Sequence, residues 1–280
     1  MIIAIFPNLT KHETKSIAQQ IIRFLASRGV KVVSEDKIAD ELGIIPLSHI
    51  DKAEINFALS IGGDGTILRM IHLYPWMNIP VLGVNLGGLG FMADIPASEV
   101  EICLEDILQG RYRILKHMVL EGVHSNNNRF FAVNDFSIHR SINPTLVDIQ
   151  LHVDGVYLNT FSADGIIIAT PCGSTAYSLA AGGPILSPDV EAVVITPICP
   201  HTLSNRPIVI KPKNEILVEY VSDNDPVEIS SDGYANFNLA KGEKFSLRIA
   251  QRPFLLAQME RHDYFFTIRN KLNWAGRLRK

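Results

Sequence analysis

The sequence predicts an α/β domain with a parallel sheet, then an all-β, sandwich-like domain, then a short closing helix. Three observations predict it. Strand and helix signals alternate over the first hundred residues, and from about Arg111 the hydrophobic period falls to two. The third is size: 280 residues, 47% of them hydrophobic, suffice for roughly two domains at about 150 residues each. A chain of this length buries roughly 70–75% of its unfolded surface, so a true core is expected. Its 26 Lys and Arg against 29 Asp and Glu leave a formal charge of −3. That balance excludes the charge-driven disorder of a polar chain and gives no positive excess with which to hold nucleic acid.

Ile2–Phe6 is a β-branched apolar run suited to a strand buried on both faces. Thr10-Lys-His-Glu13 has the spacing of a capping box, and the following helix would turn Ile17, Ile21, Ile22 and Leu25 to one side and end at Gly29 as its C′ residue. Val30–Val33, Phe57–Ile61 and Val81–Val84 are the next strands. Such alternation makes a parallel sheet with helices on its faces. Beyond Arg111 come Ile149–Val153, Ile208–Ile210, Ile216–Val221 and Phe245–Ile249, separated by turn residues such as Asp154-Gly155, Lys211–Asn214 and Asp232-Gly233. Asp263–Lys280 reads as helical again, with Arg269, Lys271, Arg277, Arg279 and Lys280 on a solvated face. The expected division is 1–110, 111–254 and 255–280.

No apolar stretch approaches the roughly 20 residues of a membrane span. Met1–Phe6 lacks a basic flank and meets Pro7 at once, so it reads as a strand and not a signal peptide. Cys103, Cys172 and Cys199 are odd in number and form no ligand or disulfide pattern, and His139 and His201 read as structural or surface residues. A reducing cytoplasm is the expected compartment and no protein-bound metal is expected.

The chemistry concentrates in three segments. Gly62-Gly-Asp-Gly-Thr66 follows a strand directly, where glycines let backbone amides approach a ligand and a helix N-terminus favours phosphate. Asp64 in its middle is anomalous, because a carboxylate repels phosphate unless it takes a proton or holds a cation. The Walker A signature is missing here, and Leu68 breaks GxGxxG. Gly88–Ala93 satisfies GxGxxA on paper, but Pro96 comes too soon for the helix that motif needs, so Asn85–Phe91 reads as a tight loop beside the same crevice. In the second segment, Asp164–Pro184, a buried strand runs into a Pro/Gly turn where Ser174 or Thr175 would cap a short helix and Asp164 could accept a ribose diol. The third is Asn134-Asp135, an amide–carboxylate pair of the kind that reads an adenine edge or a ribose.

At these segments the chain resembles the NAD kinase family. Gly62–Thr66 is similar to that family's GGDGT, Asn134-Asp135 to its Asn-Glu/Asp pair, and Asp164–Pro184 to its DG…TPTGSTAYSLSAGGP block, which is the specific part. GGDGT alone also occurs in lipid kinases and phosphofructokinases. The resemblance implies a Rossmann-like N-terminal domain, a β-sandwich-like C-terminal one and a final helix returning to the first. It implies transfer of a phosphoryl group from ATP, or polyphosphate, to the adenosine-ribose 2′-hydroxyl of NAD, in a homodimer or homotetramer. Mg²⁺ would be carried mainly on the nucleotide phosphates.

By that resemblance Asp64 is the general base, Gly62, Gly63 and Thr66 form the phosphate loop, Gly65 contacts NAD, and Arg69 sits where some members contact phosphate. Asn134, Asp135, Thr145, Ser162, Asp164, Thr175, Ala176, Tyr177, Ser178, Leu179, Ala180 and Tyr234 hold the NAD. Cys172, Ala180 and Ser162 depart from the family pattern, where Thr, Ser and a basic residue are usual. Two other readings use the same residues. A lipid kinase would need an apolar tunnel or a basic amphipathic membrane helix, and a non-catalytic dinucleotide sensor would bind without consuming a donor.

Overall fold

The run Ile2–Pro7 is buried along its whole length, as its composition requires. It lies inside a sheet whose parallel part runs Ile45–Pro46, Lys31–Ser34, Ile2–Pro7, Phe57–Gly62 and Val81–Asn85, the last also paired with Ile95–Pro96. Phe254–Met259, parallel to Val81–Asn85, and then Tyr112–His117 extend it. The structure, a computed structural model, describes residues 1–88, 90–213 and 215–274. The chain forms two units: Met1–Leu115 with the chain from Leu255 onward, and Lys116–Phe254.

In the first unit the helix Thr14–Ser27 presents Ile21 and Leu25 to Ile3, Ile5, Leu59 and Leu82, with Ile17 and Ile22 at the margin of that cluster. Gly29 follows the helix with φ +70, the left-handed conformation a C′ glycine supplies. The capping box does not form. The helix begins later, at Thr14, with no side-chain cap, and the Thr10 hydroxyl donates to Asn8 Oδ1 at 2.7 Å. The reason lies in the preceding turn. Asn8 is tied to the Ile61 carbonyl, and Lys11 Nζ donates to the Gly62 carbonyl at 2.8 Å, so the segment is fastened to the neighbouring strand end before it can coil.

The second unit is a sandwich of two six-stranded antiparallel sheets. One runs Ile208–Ile210, Val193–Ile198, Gly165–Ala169, Asp135–His139, Val227–Ser231, Ala235–Leu239. The other runs Val156–Ala163, Val147–Val153, Ile216–Tyr220, Lys244–Ile249, Leu120–His124, Arg129–Ala132. Period-two patterning gives each strand one buried row. Ile149, Leu151, Val218, Tyr220, Phe245 and Leu247 from one sheet share a core with Phe136, Ile138, Ile166, Ile168 and Ile229 from the other. Asp154-Gly155 and Asp232-Gly233 both take positive φ, the first as a two-residue hairpin between Val153 and Val156, the second in a three-residue loop between Ser231 and Ala235. Among the described residues, no helix is long and apolar enough to cross a membrane.

The chain enters this unit through Tyr112–His117 and leaves it at Phe254. There the His117 ring stacks on Phe254, centroids 6.0 Å apart, with its Nε2 buried and unpartnered. Burial pushes the imidazole down to about 4. The unfolded chain takes up this proton near pH 6.5, the folded chain only near 4. Stability linked to His117 is therefore complete above about pH 7 and is lost as pH falls through that window, by up to about 3 kcal/mol. Urea unfolding of the parent and His117→Phe should show this slope as a difference, the parent gaining stability relative to the variant as pH rises from about 4 to 7.

Candidate active site

Phe57–Gly62 ends buried, and after Gly63 the helix Asp64–Leu73 starts at once, placing Asp64 in its first turn. The Asp64 carboxylate is met by three successive backbone amides. Oδ2 accepts from Phe91 at 2.9 Å, and Oδ1 accepts from Met92 at 3.1 Å and Ala93 at 2.8 Å. Consecutive amides converging on one anion form a nest, and bonds to an ionised acceptor are the strong ones. Gly90 is required beside it, since a Cβ there would overlap Asp64 Oδ1. Asn85 braces the loop by donating to the Gly88 and Ala93 carbonyls while accepting the Gly87 amide. The GxGxxA segment thus folds as a loop whose amides serve a carboxylate and not a phosphate.

The C-terminal helix Tyr264–Lys271, capped by Asp263 through the Phe266 amide, brings one cation to the same carboxylate. Lys271 Nζ stands 3.8 Å from Asp64 Oδ2 and 4.8 Å from the centre of the Phe91 ring. Arg269 and Lys271 are exposed, as the solvated-face reading expects, and because Tyr264 lies against Phe91, ring centroids 6.5 Å apart, the helix also carries Lys271 over Asp64. Arg277, Arg279 and Lys280 lie outside the described residues, as do Leu89 and Asn214.

On the same unit, Thr66 and Arg69 line a recess with Phe6, Pro7 and Glu35. Glu35 also borders a second cavity of about 460 Å³, walled by Tyr74, Trp76, Lys52 and Ser48. Tyr74 donates to Glu35 at 2.7 Å and meets Trp76 edge-on, while Lys52 Nζ lies 4.5 Å over the Trp76 ring.

In the second unit a carboxylate nest recurs. Asp232, in the hairpin turn, accepts from the amides of Val133, Asn134 and Asp135 at 2.8–3.1 Å. Beside it opens a cavity of about 490 Å³ lined by Asn134, Asp135, Ala176 and Tyr177, and also by Ser137, His139, Ser230 and Gly233. The strand Asp135–His139 alternates polar residues on the cavity side with Phe136 and Ile138 in the core. That alternation is the signal in the sequence that could have found Ser137, and also His139, whose reading was that of a structural or surface histidine. Thr170 ties the two segments together, donating to the Val133 carbonyl and accepting the Gly173 amide. Gly173 packs so closely that a Cβ would overlap the Asn134 carbonyl.

Several site readings change in detail. Neither Ser174 nor Thr175 caps the helix Tyr177–Ala180. Ser174 Oγ bridges the Pro171 carbonyl and the Leu186 amide, and Thr175 Oγ1 turns back to the Cys172 carbonyl, because the chain makes a 3₁₀ turn at Gly173–Thr175 first. The Ser178 hydroxyl is buried against Thr196, and its carbonyl accepts the Gly183 amide as the Leu179 carbonyl accepts that of Gly182. Asp164 is not an unengaged acceptor, since Arg140 Nε lies 2.9 Å from its Oδ1. Thr145 accepts from Asn224, Ser162 sits in the strand Val156–Ala163, and neither lines the cavity; Tyr234 is exposed just past the Asp232 turn.

Two family models match, described as the ATP-NAD kinase N-terminal domain over residues 3–112 and the ATP-NAD kinase C-terminal domain over residues 133–259. The NAD kinase of Protochlamydia amoebophila is 54% identical over 277 residues, covering 99% of each chain. The chain belongs to the NAD kinase family. It is a phosphotransferase acting on NAD. The NAD kinase of Syntrophotalea carbinolica is 36% identical over 98% of this chain and 99% of its own. Among solved structures, yeast NADH kinase complexed with NADH superposes with a TM-score of 0.89 at 27% identity, over 100% of this chain and 90% of that one. An NAD kinase from Archaeoglobus fulgidus in complex with ATP shares the fold, with a TM-score of 0.79 at 24% identity over 99% of this chain and 100% of that one.

Folding also gathers groups that lie far apart in the sequence. Glu99, Cys103 and His262 each offer a ligand atom within 4.8 Å of the others. Asp94 and Glu99 flank the His262 ring at 3.6 and 3.4 Å, and these carboxylates, Asp94 foremost, raise its pKa. Those surroundings favour the imidazolium, which has no lone pair for a metal.

Burial, reinforced by the charge of Asp232, pushes the Asp135 carboxyl up to about 7. A raised carboxyl in the folded state means that stability falls as pH rises from the unfolded value of 3.8 through about 7. Asp135→Asn should remove that loss, so that by calorimetry its melting temperature gains on the parent's as pH rises from below about 4 to about 8, by several degrees.

Proposed function

We propose that the chain converts NAD to NADP by moving the terminal phosphoryl group of ATP onto the 2′-hydroxyl of the adenosine ribose, with Asp64 as general base. A ribose hydroxyl is a poor nucleophile, so the reaction needs a group that orients it and takes its proton while the phosphoryl charge is neutralised. The observation that carries the reading is the seating of Asp64. Three amides hold its plane, and they leave one acceptor direction on Oδ2 for a hydroxyl. In the second unit, the cavity beside Asn134, Asp135 and Tyr177 has the size and the mixed polar and aromatic lining suited to a dinucleotide half.

The donor side of this reading falls on the first unit. Arg69 and the Gly62–Thr66 turn would meet phosphates, and the Tyr74–Trp76 cavity offers a flat aromatic wall to a purine. Mg²⁺ would arrive on the nucleotide phosphates and supply charge neutralisation there. The residues fit that arrangement, because Asp64 is already engaged by amides and an ammonium and is no metal cage. Polyphosphate as an alternative donor, a homodimer or homotetramer, and a cytoplasmic location belong to the same proposal.

The test is direct. Purified protein is incubated with NAD, Mg²⁺ and either ATP or polyphosphate, and NADP is read with a strictly NADP-dependent dehydrogenase. Phosphorylation of a lipid but not of NAD, or NAD binding without ATP consumption, would replace the reading. Asp64→Asn is expected to lower kcat by about 10²–10⁴ while NAD binding persists. Near-normal turnover would remove the base assignment. Trp76→Ala is expected to raise KM for ATP by roughly tenfold, as loss of one base-stacking partner does, and to leave KM for polyphosphate alone.

A further inference from the structure

Lys271 has no part in the scheme so far, yet its ammonium is the charge facing the reactive oxygen. An ionised carboxylate has roughly four acceptor directions, two on each oxygen. On Asp64, Met92 and Ala93 fill both directions of Oδ1, and Phe91 fills one of Oδ2. The remaining direction on Oδ2 is the only one through which Asp64 could receive a proton without breaking the nest. Lys271 Nζ stands over that oxygen at 3.8 Å. This is too long for a hydrogen bond and short enough for an ion pair. The face of Phe91, 4.8 Å away, holds the ammonium from another side, so its position does not depend on Asp64 alone.

We infer that Lys271 is a positioning residue that guards the last acceptor site of Asp64 and passes its charge to the phosphoryl group once the substrate hydroxyl arrives. The inference rests on Asp64 being the base. A hydroxyl bound to Oδ2 at about 2.7 Å takes the place the ammonium covers. The displaced ammonium, still anchored by Phe91 and the helix Tyr264–Lys271, is left beside the attacking oxygen, where negative charge grows on the transferred group. The proton of the hydroxyl goes to Asp64 as the O–P bond forms and the bond to the donor's leaving phosphate oxygen breaks. Lys271 gains and loses no proton in the step.

Two readouts separate this role from a merely structural one. The first is calorimetric preference for NAD over its analogue lacking the adenosine 2′-hydroxyl. Lys271→Gln should raise that preference about threefold, because the hydroxyl no longer competes with an ion pair of this exposure. In an Asp64→Asn background the same substitution should change nothing. The second is kinetic: Lys271→Gln should lower kcat by roughly ten- to a hundredfold and raise KM for ATP, and Lys271→Arg should recover most of the loss. Unaltered kcat, KM for ATP and hydroxyl preference in a folded Lys271→Gln enzyme, with Asp64→Asn inactive, would overturn the inference and leave the base in place. An equal change in preference with and without Asp64 would overturn it too. Near-normal turnover of Asp64→Asn would instead bring down the base and this inference together.

Discussion

The site depends on a carboxylate that satisfies three consecutive backbone amides. The loop around residues 90–93 has no regular secondary structure to absorb its N–H groups, and unpaired amides at a half-buried position cost free energy. Asp64 supplies the acceptors from the first turn of a helix, where a negative charge is favoured anyway. The same device recurs with Asp232 and residues 133–135. In both, one oxygen takes the first amide and the other oxygen takes the next two. Two unrelated stretches of chain have met the same local problem with the same chemistry.

The two anchors differ in what surrounds them. Asp64 is partly open to solvent and faces an ammonium, so its remaining acceptor direction is usable for chemistry. Asp232 faces another acid, and the burial of Asp135 together with that neighbouring charge pushes its carboxyl up to about 7. On the proposed function, a dinucleotide edge meeting Asp135 would find a group able to donate or to accept according to pH.

Much of this was legible in the sequence. The buried run of Ile2–Pro7, the glycine-ended strand Phe57–Gly62, the switch to period two and the Asp-Gly hairpins each follow from local chemistry, and local chemistry decided them. The family resemblance was legible too, from the segment after Asp164. The misreadings share a cause. The capping box at Thr10 and the helix cap at Ser174 are local rules overridden by contacts across longer separations. Lys11 is drawn to the Gly62 carbonyl and Ser174 to the Leu186 amide. Arg140 beside Asp164, and Asp232 beneath Asn134-Asp135, were equally invisible, since nothing in a one-dimensional pattern says which distant partner an ionic group will meet.

The double duty of Asp64 bears on how such a protein could lose its chemistry. An asparagine in its place could keep its oxygen on Met92 and Ala93 but would turn its NH₂ toward the Phe91 amide, so the loop favours the aspartate. A pseudoenzyme descended from this fold would then keep the aspartate for architectural reasons alone. Its decay would register first at Lys271 or around the dinucleotide cavity, and an intact GGDGT would be poor testimony that the protein still turns over.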